Sequence, residues 1–219
     1  MSSSVKARPR HPAPIAAPKR PLAIWLVIVG ALVVALVVAL LVAGRGSTKD
    51  PSNLAQVQAV NVTGTPLATF SDRDTAVGQP IPTVTGATFD ASPVTIKNDG
   101  RAKVIFFVAH WCPHCQAEVP VITRWLASTN PPATVDLYAV STAVSANQPN
   151  YPPSAWLARE NWPIVTMADD NASSAARAFG LSGYPFFVVV KADGTVAVRA
   201  SGELSVSQLD ALVRAATSK

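Results

Sequence analysis

KVIFFVAHWCPHCQAEVPVITRWL, Lys103 to Leu126, holds both cysteines of the 219-residue chain and two of its three histidines. Its opening, KVIFFVA, is an apolar run rich in β-branched and aromatic residues and of strand length, as expected for a strand buried on both faces. The CPHC turn follows, and QAEVPVITRWLAS reads as a helix with a kink expected at Pro120. A helix N-terminus offers unpaired N–H groups and a partial positive charge, and both favour the thiolate of the first cysteine, Cys112.

Two thiols spaced by two residues can clasp a metal, form a structural disulfide, or exchange electrons with another protein's cysteines. A closed zinc site needs four ligands, and the chain has no second cysteine pair. Copper(I) accepts thiolates and fewer ligands, so a copper-binding chaperone stays open as an alternative. A disulfide closing so short a loop removes little unfolded-state entropy, which makes a purely structural bond a weak stabiliser. Redox exchange through Cys112 and Cys115 is the leading reading, and it calls for no cofactor and no resident metal.

Downstream, TVDLYAVS is a strand, AVSANQPNYPPS a loop, and SAWLAREN a helix expected to be capped by Ser154. PIVTM is a short strand, ASSAARAFGL a helix ending near Gly180, and PFFVVV a strand. ADG (192–194) is a hairpin turn into TVAVR, and Ser205 with Gln208 opens the last helix with a capping-box pattern. Upstream, GQPIPTVTG and SPVTI read as short edge strands, because proline is excluded from central ones. Alternating strands and helices, then a hairpin and a final helix, predict a layered α/β domain over 77–219. Trp125, Trp156 and Trp162 are expected to pack it.

Before that domain, LAIWLVIVGALVVALVVALLVA (22–43) carries no charge; as a helix at ~1.5 Å per residue it is about 33 Å long, enough to span a membrane. It exceeds a signal-peptide core and is expected to remain as a single anchor. Residues 1–21 contain five basic side chains and no acid and read as a disordered cytoplasmic tail, which puts everything after Ala43 outside. Those five account for the net charge of +5, leaving thirteen basic and thirteen acidic residues beyond them. A neutral outer domain sets nucleic-acid binding aside. Residues 44–76 are expected to be linker, with no role of their own assigned to 54–76.

The strand, WCPHC and helix together resemble the thioredoxin-like superfamily, in which Trp111 stands before the first active-site cysteine. GYPFFVVVKADGTVAVRASGEL resembles that fold's second signature, with Pro185 as a cis-proline opening a strand that runs into a hairpin. The VGQPIP lead-in and the long insert before the Ala-Trp-Leu helix are most similar to the membrane-anchored TlpA/ResA type, over roughly 77–217. The resemblance implies a central mixed sheet flanked by helices, Cys112 as the attacking thiol and Cys115 as the resolving one. It also implies that Pro185 faces the disulfide and that Gly183, Tyr184, Trp111 and Pro113 line the site where an extended partner chain pairs in strand-addition fashion.

His114, between the cysteines, can stabilise the Cys112 thiolate, and CPHC is the dipeptide setting of DsbA-like oxidants. The reading is therefore an oxidant acting on secreted or envelope protein thiols and recycled by a membrane redox partner. A TlpA-type reductase, for instance in cytochrome c maturation, is the first alternative. The buried acid that thioredoxins carry six residues before the first cysteine is replaced by Phe106. Glu118 is a possible substitute, although a solvated helix glutamate is the plainer expectation. His110 is read either as a tuning group or as an exposed turn residue.

Overall fold

The computed structural model describes residues 29–35, 54–129 and 131–218. Residues 29–35 are helical and exposed, and lie in a unit, Met1–Thr48, separate from Lys49–Lys219. The anchor expected over 22–43 and the tail over 1–21 fall largely outside the described residues, among which no helix is long and apolar enough to cross a membrane.

In the second unit the strands are β1 (Asn61–Thr63), β2 (Thr83–Thr88), β3 (Pro93–Ile96), β4 (Ala102–Val108), β5 (Val135–Ser141), β6 (Val165–Ala168), β7 (Phe186–Val190) and β8 (Val196–Ser201). The helices are α1 (Pro113–Thr129), α2 (Pro153–Arg159), α3 (Ser174–Ala178) and α4 (Val206–Thr217). They build one mixed sheet in the order β1-β2-β6-β5-β4-β7-β8, with β3 on the other side of β2. β4 lies parallel to β5, and β5 to β6, whereas β7 is antiparallel to β4 and β8 to β7.

The apolar run at 103–109 becomes β4, and all seven of its residues are buried. Because side chains alternate across a strand, Ile105 and Phe107 enter one core layer while Val104 and Phe106 enter the other. The first layer includes Ala175, Ala176 and Phe179 at α3; the second includes Ile122 and Trp125 of α1 with Leu209 and Leu212 of α4. Trp125 and Trp156 are buried and Trp162 packs edge-on against Phe106, as packing residues should. α1 runs through Pro120 as one helix. Ser205 and Gln208 form the reciprocal capping box that starts α4.

Three expectations need correction. Residues 54–76 are not linker. Leu67 and Ala76 are core residues, and the Leu67 and Phe70 N–H groups bond the Ala178 and Gly180 carbonyls at the end of α3. The segment is held further by buried Arg199, which pairs with Asp74 and donates to the Ala68 and Phe179 carbonyls. β2 is not an edge strand either, since its prolines, Pro80 and Pro82, precede it and leave its own residues free to pair with β1, β3 and β6. Finally, Ser154 does not cap α2. The helix begins at Pro153, and the Ser154 N–H is taken by the Gln56 side chain at 3.0 Å, so a residue far upstream does the capping.

Candidate redox site

β4 ends at Val108, and the Cys112 N–H bonds back to the Ala109 carbonyl at 3.0 Å to make the turn. Cys112 stands at the N-cap of α1: its carbonyl accepts the first helix bond, from the Gln116 N–H at 3.0 Å. Pro113 occupies the first helical position, where a missing N–H costs nothing. Both thiols are free and buried; Cys112 keeps 6% exposure and Cys115 none. Burial pushes the Cys115 thiol far up, against a single weak bond from the Ala109 N–H at 3.4 Å. The two cysteines are thus unequal: one lies at the helix mouth and the other one turn inside.

The Tyr184–Pro185 peptide is cis, and the Tyr184 carbonyl accepts from the Cys112 thiol at 3.9 Å. Tyr184 meets Trp111 edge-on, with ring centroids 5.8 Å apart. Trp111 is fixed in turn by its indole N–H on the Ala143 carbonyl at 2.8 Å. A Cβ on Gly183 would come within 3.0 Å of the Ser201 hydroxyl, so this approach to β8 favours a residue without a side chain. Trp111, Cys112, Gly183, Tyr184 and Pro185, some 70 residues apart in sequence, therefore meet at one end of the sheet.

For two of the remaining polar residues the exposed alternative of the sequence reading fails. His110 is buried, not an exposed turn histidine. Its Nδ1 donates to the Pro149 carbonyl at 2.6 Å and its Nε2 accepts from the Ser145 N–H at 3.2 Å. This pairing requires the neutral ring, and burial pulls its pKa down accordingly. Glu118 is not a solvated helix glutamate. It is 1% exposed, its Oε2 accepts from the Leu204 N–H at 3.1 Å, and its Oε1 has no hydrogen-bond partner among the described residues. Burial first, and the nearby Glu203 charge second, push its carboxyl up to about 7 against the lowering effect of the Leu204 bond.

His114 is exposed, and its Nδ1 donates to Glu203 Oε1 at 2.7 Å rather than to either sulfur. Glu203 was missed from sequence; it follows β8, 89 residues from His114, and no spacing or period marks it. Among the described residues no group of three His, Cys, Asp or Glu side chains converges on a metal position.

A family model described as Redoxin matches residues 76–213, more than half of the chain. The chain belongs to the Redoxin family. Curated relatives include the soluble secreted antigen MPT53 of Mycobacterium tuberculosis and of Mycobacterium bovis, each 30% identical over 113 residues, which cover 52% of this chain and 58% of the relative. The chain thus spans less than two thirds of the length of those relatives. Among solved structures, a thiol:disulfide interchange protein of Chlorobium tepidum aligns with TM-score 0.51 and 22% identity, over 63% of this chain and 94% of that one. A DsbE-type interchange protein from Chlorobium tepidum gives TM-score 0.54 and 18% identity, over 64% and 96%. These likenesses establish the thioredoxin-like fold of the Redoxin domain.

Chemically, this Redoxin site pairs a thiol at a helix N-cap with one wholly buried behind it. That pair can close into a disulfide and reopen, and Glu118, three residues beyond Cys115 on the same helix face, is a group able to hold a proton near neutral pH.

Proposed function

We propose that the chain is a membrane-anchored, extracytoplasmic thiol–disulfide oxidoreductase acting through Cys112 and Cys115, with oxidation of secreted or envelope protein thiols as its working direction. The observation that carries the reading is the asymmetry of the thiols: Cys112 at the N-cap of α1 against the Tyr184 carbonyl, and Cys115 fully buried behind it. In the oxidising direction a partner thiolate attacks the Cys112 sulfur of the disulfide. The Cys112–Cys115 bond breaks, a mixed disulfide forms, and Cys115 leaves with the electron pair. The burial that pushes the Cys115 thiol up means that it takes a proton as it leaves, and protonated Glu118, whose charge acts on that thiol, is a carboxyl able to supply one. A second partner thiolate then attacks the partner's own sulfur and releases Cys112, so two electrons pass into the chain. Recycling needs an oxidant that returns the dithiol to a disulfide, and the anchor read at 22–43 favours a membrane redox partner.

Trp111, Pro113, Gly183 and Tyr184 border Cys112, and an extended partner chain laid along the Tyr184 backbone would place its cysteine at that sulfur. The reducing direction is the second reading. One observation favours it: His114 bonds Glu203 and not the Cys112 sulfur, which weakens the local support for a strong oxidant.

The deciding measurement is the equilibrium of the dithiol with a glutathione buffer. A disulfide that glutathione readily reduces supports the oxidant; one that resists glutathione but yields to a thioredoxin-type donor assigns the reductase. Tight binding of one copper(I) per chain without any exchange would overturn both in favour of the chaperone.

A further inference from the structure

The turn that follows β8 touches the site three times in three residues. Gly202, at φ +93°, bends the chain back, and its N–H bonds the Pro185 carbonyl at 2.8 Å. Glu203 takes the His114 Nδ1–H at 2.7 Å. Leu204 gives its N–H to buried Glu118 at 3.1 Å. Glu203 is therefore not a glutamate adrift on the surface, because its backbone is tied on both sides to the groups around the cysteines. We propose that Glu203 is a positioning residue of the redox couple: by holding the His114 imidazole against its own carboxylate, it restrains the oxidising strength of the Cys112–Cys115 disulfide. This rests on the dithiol reading above.

The pair adds little to stability, since His114 and Glu203 keep 68% and 49% of their side-chain surface in solvent. Its consequence is electrical. A lone imidazolium between the cysteines would favour the Cys112 thiolate, and whatever favours the reduced form makes the disulfide a stronger oxidant. With a carboxylate at 2.7 Å, a charged imidazole becomes half of a neutral pair; beside a neutral imidazole, the carboxylate charge stands alone. In both cases the site is one unit more negative than it would be without Glu203, so the sign does not depend on the state of His114. The other titratable groups facing this cluster are Cys112, Cys115 and Glu118 from α1 and Tyr184 from the approach to β7. No lysine or arginine among the described residues pairs with Glu203 or Glu118 to cancel the effect. Glu203 also raises the Glu118 carboxyl and so favours its neutral form, an indirect influence on the cysteines that opposes the direct one.

The test compares the full-length chain with its Glu203→Gln, His114→Ala and doubly substituted forms, equilibrated with glutathione from pH 6 to 8. Glu203→Gln should favour the reduced protein by about threefold, roughly 14 mV at ~30 mV per tenfold. Alkylation of Cys112 should quicken in parallel. On the His114→Ala background, where the carboxylate is released into solvent and screened, the same substitution should change the equilibrium by less than about twofold. An unchanged Glu203→Gln protein, or equal shifts on both backgrounds, overturns the proposal. A wild-type dithiol that exchanges with neither glutathione nor dithiothreitol overturns the dithiol reading and this one together. An exchanging wild type with an unchanged variant overturns this one alone.

Discussion

The two ends of β4 bury titratable groups in opposite ways. At its start, Lys103 is completely enclosed, yet its ammonium bonds Asp99 and the Arg101 carbonyl, with Asp136 4.0 Å away. The charge is compensated, and the Lys103 hydrogen bond holds Asp99 below the usual carboxylate range. Beyond its other end lie Cys115, whose thiol accepts a weak bond from the Ala109 N–H, and Glu118, which has an oxygen with no partner among the described residues. Leaving a buried oxygen such as that of Glu118 unsatisfied costs on the order of 1–3 kcal/mol. A strand that compensates its charge at one pole and leaves it uncompensated at the other separates scaffold from chemistry, and each end can be challenged in turn.

The largest effect belongs to the cysteines. Cys112→Ser should lower thiol–disulfide exchange by at least ~10³-fold, while Cys115→Ser should retain attack and accumulate a mixed disulfide on Cys112. Non-reducing electrophoresis of the variants mixed with a thiol substrate reads both outcomes. Equal behaviour of the two variants would erase the asymmetry that defines the pole.

Glu118→Gln comes next. The carboxyl is held near 7 in the folded chain against an ordinary value of 4.5, so the folded state binds more protons between these limits. Stability should therefore fall as pH rises through 4.5 to about 7, by on the order of 1–3 kcal/mol. Gln keeps an acceptor for the Leu204 N–H and carries no charge, so urea unfolding at pH 8 should show a gain that vanishes at pH 4.5. In the same variant the release of Cys115 should lose its pH dependence near 7. A variant with the wild-type pH profile would place Glu118 on the scaffold side of the comparison.

How far the sequence could foretell this follows from the range of each signal. β4, the CPHC turn, α1, the Asp193–Gly194 hairpin and the Ser205 capping box rest on periods and local chemistry within a few residues, and all were legible. So was the meeting of Cys112 with the Tyr184–Pro185 segment, through the family resemblance. What escaped depends on pairings across the fold: β1 against β2, Gln56 on Ser154, Arg199 on Asp74 and Glu203 on His114. The solvated alternatives for Glu118 and His110 fail for one reason. Their helix and turn positions look solvated until the turn after β8 and the loop at 143–150 are laid over them.

At the compensated pole the expected effect is smaller and confined to stability. Asp99→Asn removes the closest counter-charge from a buried ammonium but leaves the Arg101 carbonyl and Asp136 in place, so a loss of about 1–2 kcal/mol in urea unfolding is expected. Glutathione equilibration should not move. A change in exchange would mean that the poles are coupled through β4.

The smallest effect tests whether the active pole contains scaffold of its own. His110 is one residue from Trp111, but both ring nitrogens are engaged by the 143–150 loop, and the bond from the Ser145 N–H exists only for the neutral ring. Because burial lowers its pKa, the unfolded chain binds the proton more readily. Its contribution is present above the unfolded value of ~6.5 and is lost as pH falls below it, by at most about 1.4 kcal/mol per pH unit. That slope is opposite to the one from Glu118, and the two mask each other in the wild type. On the Glu118→Gln background, stability should decline between pH 6.5 and 5, and His110→Gln, neutral throughout, should flatten the decline. Proteolysis within 143–150 should rise over the same interval, because acid breaks the brace that holds the loop. If the decline persists without His110, the brace is not what acid releases, and the loop is held by the Trp111 bond to Ala143 instead.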